Sequence, residues 1–360
     1  MWNFFLKITG MIFFMILVSG FNLKDRTFYA PSDENIQYYG RWEITKEKAR
    51  ASWGATYFKI KFEGKFLAIK IGKNQPYCWY SIDGNDFVDF VPDNKSQIYV
   101  LAENLKDGIH TLEFVKIPES SFGILEINGI YLEKGKHLLK PEKKPEKKIE
   151  FIGDSITATP GFFENEKPGP RFLENGYLAY GPVLARMLNA DYHVEGMSGI
   201  GAYRNYNEPL PPKNENMKDF FLRTIPQEKN SKWDFNCWKP DVLIIALSTN
   251  DFIKVDDKWQ EPDKQGFKNA YKKFLDLVKN KYPETEILCL GPWLKGKYFS
   301  KARDYIKEAV KEVGDKKIHF IDPTPWLSQN DFVNDKIHPT VEGHKKIAKK
   351  LYKIVKPLIK

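Results

Sequence analysis

Cysteine is nearly missing from this 360-residue chain. Cys78, Cys237 and Cys289 are too few and too scattered for a disulfide framework or a tetrahedral zinc site. One bridge is possible in an oxidising compartment, but buried free thiols are expected. Histidine is also scarce, with six residues. His110, His137, His193 and His319 have no carboxylate or cysteine at metal-ligand spacing, so no metal and no other cofactor is expected. His344 falls within a helical pattern and is read as a surface residue.

An arginine-rich face is missing too. The net charge is +9, but the excess is lysine dispersed among acidic residues, which reads as a solvated surface rather than a nucleic-acid footprint. No Gly-x-Gly-x-x-Gly turn follows the first strand of the C-terminal half, which argues against a dinucleotide site. No internal repeat is evident. Long apolar runs are absent after the first twenty residues. There, Lys7 precedes an apolar run over 8–17, and Val18-Ser19-Gly20 offers small residues for cleavage. The pattern predicts a signal peptide over 1–20 and a secreted protein. The run is short of the roughly 20 residues that span a bilayer, so an uncleaved anchor is the alternative. No cysteine follows it, which disfavours a lipoprotein.

The composition is that of a globular chain, 42% apolar and 15% aromatic. Its length favours two domains. Residues 23–133 carry period-two runs over 56–62, 66–71, 77–82, 96–101, 110–117 and 124–132, punctuated by Glu63-Gly64, Asp83-Gly84 and Asp107-Gly108. This predicts an all-β, jelly-roll-like antiparallel sandwich. A Lys- and Pro-bearing linker is expected over 134–148. Over 149–360 the rhythm changes to strand–helix alternation. Strands are expected at 149–153, 191–195, 241–247, 286–290 and 318–321, with helices near 177–188, 265–281, 300–313 and 341–355. Continuous apolar strands joined by helices imply an α/β domain with a parallel sheet covered on both faces. The long connections over 200–238 and 252–264 are candidate walls of a substrate site.

In such a sheet, chemistry sits outside the carboxyl ends of the strands. The first strand ends in Gly153-Asp154-Ser155. A serine there needs a base with a pKa near neutrality, and histidine supplies one. His338 answers in Asp335-Lys336-Ile337-His338-Pro339, and Asp335 can curl back to fix its tautomer. Two further strand ends offer oxyanion donors: the Asn250 side chain in Ser248-Thr249-Asn250-Asp251, and the loop Gly196-Met197-Ser198-Gly199-Ile200-Gly201, where one of three glycines allows close backbone approach. Asp154 reads as a helix cap. Among the tryptophans, Trp79, Trp293 and Trp326 are candidates to meet a sugar ring or an acyl group, with Trp293 favoured by its place after strand 286–290.

Gly153-Asp154-Ser155, Gly199, Asn250-Asp251 and Asp335-Lys336-Ile337-His338 occur in the order of the four blocks of the SGNH (GDSL-type) hydrolases, which this chain resembles. The sandwich, with Tyr39-Gly40-Arg41-Trp42 near its start, is similar to the first domain of the family 2 carbohydrate esterases, the acetyl xylan and glucomannan esterases. The resemblance implies a three-layer α/β/α domain after the sandwich. It implies Ser155 as nucleophile, His338 as base, Asp335 as orienting acid, and Ser155, Gly199 and Asn250 around the oxyanion. Some members orient the base with a backbone carbonyl instead of an acid. Ser248 stands where the superfamily usually has glycine. The implied activity is removal of O-acetyl groups from plant polysaccharide without a metal; a monomer is expected. A lipid or sialic-acid esterase and an inactive glycan-binding protein are the alternatives.

Overall fold

The computed structural model describes residues 22–93, 95–159, 175–255 and 258–359. The expected leader over 1–20 lies outside the described residues. The first half folds as two six-stranded antiparallel sheets. One runs in the order Glu43–Ile44, Ala49–Ala51, Leu125–Glu133, Leu67–Ile71 and Ile98–Ala102, with Arg26–Tyr29 also paired to Leu125–Glu133. The other runs Leu138–Leu139, Tyr57–Glu63, Ile109–Lys116, Cys78–Ile82 and Val88–Phe90, with Gln37–Tyr39 also paired to Tyr57–Glu63. The period-two pattern sets which side faces in. Phe58, Ile60 and Phe62 are buried against Leu67, Ile69, Ile71 and Phe114, while Lys59 and Lys61 turn to the other face. Each such side chain contributes roughly 1.5–3 kcal/mol on burial.

The expected linker needs correction. Leu138–Leu139 forms an edge strand of the second sheet, with Leu138 buried. Lys144 Nζ donates to Tyr38 O and lies 4.4 Å from the Tyr39 ring centre. The lysines of 134–148 suggested a free tether, but the two leucines between them supply a partner for Tyr57–Glu63.

The second half is a five-stranded parallel sheet in the order Asp191–Gly196, Lys148–Gly153, Val242–Ala246, Glu286–Leu290 and Ile318–Ile321. Alternate residues face opposite layers. Ile149, Phe151, Val242, Ile244, Leu288 and Leu290 pack with Leu184 and Ala185 of helix Tyr180–Leu188 and with Ile347, Ala348 and Leu351 of helix Val341–Val355. Ile152, Leu243, Ile245, Ile287 and Cys289 pack with Phe267, Tyr271 and Phe274 of Lys264–Lys281 and with Ala302, Ile306 and Ala309 of Lys297–Val313. The result is the expected three-layer α/β/α arrangement. The chain leaves Lys148–Gly153 toward one side of the sheet and later crosses to the other, so the switch point falls where that strand ends, just before Ser155.

The two halves share one core. Tyr39, Ala55, Tyr57, Val115 and Ile117 of the sandwich pack with Tyr177, Tyr180, Tyr192 and Val194. The Tyr192 hydroxyl donates to Ala55 O at 3.1 Å, and Gly176 N donates to Ile117 O at 2.7 Å. The sandwich thereby covers the edge strand Asp191–Gly196. Tyr39-Gly40-Arg41-Trp42 gains a physical meaning here. Tyr39 enters the shared core, Trp42 enters the sandwich, and Gly40 turns between them at φ +87°, where a Cβ would lie 2.3 Å from Thr56. Arg41 is fully buried against Glu150 at 2.7 Å and Glu195 at 2.9 Å, both on the parallel strands. Its other nitrogen donates to Phe221 O and Arg223 O. Part of the connection 200–238 is therefore a cradle for this arginine rather than a substrate wall.

Candidate active site

Gly153 ends the first parallel strand, and only glycine fits. A Cβ there would lie 1.9 Å from the Thr157 hydroxyl and 2.8 Å from Ala246 O. Asp154 caps the short helix Ser155–Ala158 by accepting from Ile156 N at 3.0 Å. Burial pushes its carboxyl up to about 6, against hydrogen bonds from Ile156 N–H and Thr249. Ser155 is the first helical residue, so its N–H has no intrahelical acceptor.

Ser155 Oγ lies 2.7 Å from His338 Nε2, and His338 Nδ1 lies 2.6 Å from Asp335 Oδ2. The second Asp335 oxygen accepts from Ile337 N at 2.7 Å and His338 N at 2.9 Å. Lys336 makes the bend possible at φ +57°. Burial pushes the Asp335 carboxyl up, but the bonds from His338 and the two amides outweigh it and hold it below the usual carboxylate value. The carboxylate keeps the proton on Nδ1, so Nε2 faces the serine with its lone pair.

The two oxyanion candidates lie on interlocked loops. Asn250 begins the turn Asn250–Phe252 and donates from Nδ2 to Ile200 O at 2.9 Å. The Asp251 carboxylate accepts from Ala202, Tyr203 and Arg204 N–H at 2.8–3.1 Å. Gly199 sits at φ +77°, which favours glycine although an added Cβ would make only an ordinary contact, 3.7 Å from Tyr206 Cβ. Its carbonyl accepts from Tyr206 N at 2.7 Å, and its N–H donates to no acceptor among the described residues.

Three expectations change. Trp293 is only 3% exposed and packs against Tyr180, whose hydroxyl meets the Thr157 hydroxyl at 2.9 Å. The indole lies behind the nucleophile turn, with no open face for a sugar. His344 is not on the surface. It is fully buried, stacks on Tyr180 and accepts from Tyr180 N at 3.0 Å through Nδ1. His193 does have carboxylate neighbours. Ligand-type atoms of Glu150, His193 and Glu195 lie within 4.8 Å of one another: His193 and Glu195 are two apart on one strand, and Glu150 is paired opposite His193 on the adjacent strand. The Arg41 guanidinium already engages both carboxylates. Sequence reasoning also missed Glu119, whose Oε2 accepts from Ser198 N at 2.7 Å beside Gly199.

A hydroxyl, an imidazole and a carboxylate joined in series at the carboxyl edge of a parallel sheet form the arrangement used by serine hydrolases. A carbohydrate esterase 2 N-terminal model matches residues 38–141, and a GDSL-like lipase/acylhydrolase model matches residues 151–346. The chain belongs to the family 2 carbohydrate esterases, with a hydrolase domain of the SGNH fold. It is 31% identical over 333 residues to the cellulase/esterase CelE of Acetivibrio thermocellus, covering 89% of this chain but 39% of that protein. An acetylxylan esterase/glucomannan deacetylase of Cellvibrio japonicus is 25% identical over 337 residues, 89% of this chain and 88% of that one. A family two carbohydrate esterase from Clostridium thermocellum, solved in complex with cellohexaose, superposes with a TM-score of 0.77 at 29% identity, covering 89% of this chain and 98% of that one.

Proposed function

We propose that this chain is a secreted serine esterase that removes O-acetyl groups from plant polysaccharides of the xylan and glucomannan type. The observation that carries the reading is the unbroken series Ser155 Oγ, His338 and Asp335 at 2.7 and 2.6 Å. The relatives named as acetylxylan esterase/glucomannan deacetylase support the substrate class. Lys7 and the apolar run after it support export.

His338 Nε2 takes the Ser155 proton as Oγ attacks the acetyl carbonyl carbon. The carbonyl electron pair becomes an oxyanion, held by Ser155 N–H, Gly199 N–H and the second Asn250 amide hydrogen. When the carbonyl re-forms, the C–O bond to the sugar breaks, and the leaving oxygen receives the proton from His338. Water then gives a proton to His338, attacks the acetyl-serine, and acetate leaves as Ser155 regains its proton. Asp335 stabilises the imidazolium at both stages.

The test is acetate release from acetylated glucomannan and acetylated xylan by residues 21–360, beside Ser155→Ala. Release by the wild type and its loss in the variant are expected. A folded wild type inert on both polymers would overturn the substrate assignment and direct the search to acyl lipids or O-acetyl sialic acid.

A further inference from the structure

The sandwich reaches the catalytic edge through one side chain. Strand Ile109–Lys116 leads into a loop that carries Glu119, which is 2% exposed. The loop is pinned along its length. Lys116 Nζ, itself fully buried, donates to Pro118 O at 2.7 Å and Glu119 O at 2.9 Å. Gln227 Nε2 donates to Ser120 O, and Gly176 N to Ile117 O. The close approach of Gly54, where a Cβ would lie 3.3 Å from Glu119 Cα and Pro118 O, seals the other side. Both carboxylate oxygens are occupied. Ser121 Oγ donates to Oε1 at 2.5 Å, and Ser198 N donates to Oε2 at 2.7 Å. A carboxylate so enclosed and bonded at both oxygens is a good anchor.

What it anchors is the turn that leaves strand Asp191–Gly196. Met197 N donates to Gly153 O at 3.2 Å, continuing the parallel ladder. The next N–H, of Ser198, turns to Glu119. The third, of Gly199, remains free of acceptors among the described residues, at the residue where the backbone enters the left-handed region. Two of three consecutive amides are thus held by fixed acceptors, and the third is aimed by them. Asp251 and Asn250 secure the loop from its far side, but they act on residues 200–204. Among the described residues, only Glu119 acts from the other domain on the amide that precedes that of Gly199.

We propose that Glu119 is a positioning residue of the esterase: by accepting from Ser198 N–H it orients the Gly199 N–H toward the substrate carbonyl oxygen, so the sandwich completes the oxyanion site of the hydrolase domain. The inference rests on the esterase reading above. Without the carboxylate, the Ser198 amide loses a buried acceptor and the turn relaxes toward other partners. An oxyanion donor matters most in the transition state, so the loss falls on kcat rather than KM.

The experiment compares wild type, Glu119→Ala, Glu119→Asp and Glu119→Gln on acetylated glucomannan, with melting temperatures measured beside kcat and KM. Removing a donor outright costs about 10²–10³-fold in kcat, so a misaimed donor is expected to cost roughly 10–100-fold in Glu119→Ala with KM within about twofold. Glu119→Asp keeps the charge but loses reach and should lose kcat similarly, which keeps the test open if the alanine variant fails to fold. Glu119→Gln retains an oxygen acceptor and should stay within about threefold of wild type. An active wild type with kcat unchanged in both Glu119→Ala and Glu119→Asp would overturn the positioning role alone. Equal kcat losses in all three variants, in step with lowered melting temperatures, would reduce Glu119 to a stabilising contact. A wild type that releases no acetate would overturn the esterase reading and this inference together.

Discussion

Asp335 grips His338 at two points. Oδ2 lies 2.6 Å from the ring Nδ1, and Oδ1 accepts from the His338 N–H at 2.9 Å and from the Ile337 N–H at 2.7 Å. The two amides dictate which carboxylate oxygen faces the backbone, and so which faces the ring.

This makes Asn a worse replacement than Ala. In Asp335→Asn the side-chain oxygen must stay on the two backbone N–H groups, which leaves its NH₂ facing Nδ1. The ring is then driven to the tautomer with the proton on Nε2, where it cannot accept from Ser155. A fall of roughly 10³–10⁴-fold in kcat is expected for Asp335→Asn. Asp335→Ala leaves the tautomer unconstrained and should lose less. Steady-state kinetics on acetylated glucomannan check the order, and a milder Asn variant would contradict it.

His344 predicts acid sensitivity. Burial, helped by the nearby His338, holds its pKa down to about 3, and protonating Nδ1 would forfeit the bond from Tyr180 N. The unfolded chain takes up the proton near pH ~6.5. Its contribution is therefore complete above that value and is lost as pH falls toward 3, with a limiting slope of roughly 1.4 kcal/mol per pH unit. In His344→Asn, whose Oδ1 can replace Nδ1 as acceptor, unfolding free energy should fall less steeply between pH 6 and 4. Denaturant titrations across that window would show parallel slopes if His344 were not responsible.

Much of this was legible because it is local. Period-two runs located the sandwich strands, and apolar runs the parallel ones, since burial sets those patterns directly. Gly153-Asp154-Ser155 and Asp335 to His338 are short segments whose backbone bonds close within themselves. The missed features are pairings across long separations. Arg41 meets Glu150 and Glu195, and Glu119 meets Ser198 over 79 residues. No local spacing marks such partners. His344 was misread because its neighbours Lys345 and Lys346 are polar, although helical spacing places it with Ile347 and Leu351 on the buried face.

Ser248 stands at φ +155° and is 2% exposed, where a side chain is strained. Strain of this kind costs of order 1–3 kcal/mol, while glycine costs about 0.5–1 kcal/mol of extra unfolded-state entropy. Ser248→Gly is expected to gain about 1 kcal/mol, raising the melting temperature by roughly 1–2 °C. Calorimetry reads this directly, and a lowered melting temperature would show that the serine is not strained. Asn250 keeps its contact with Ile200 O, so kcat should change little.

Arg41 links the two halves through a fully buried guanidinium. This group pairs with Glu150 and Glu195 on neighbouring parallel strands and lies 5.1–5.5 Å from the ring centres of Phe221, Trp233 and Phe235. Burial pushes the Glu195 carboxyl well above its ordinary value, with Glu150 repelling it further against the pull of Arg41. Arg41→Met keeps the apolar stem but strands two buried carboxylates, and removing one partner of a buried pair costs about 3–5 kcal/mol. Because a carboxyl with a raised folded pKa is most favourable when protonated, the deficit should shrink at pH 5 and grow toward pH 8. Adding Glu150→Gln and Glu195→Gln to Arg41→Met removes the stranded charges and should recover most of the loss. Urea unfolding of the three proteins at both pH values separates the causes. A triple variant no more stable than Arg41→Met would mean that the arginine acts through packing and its bonds to Phe221 O and Arg223 O, not through charge.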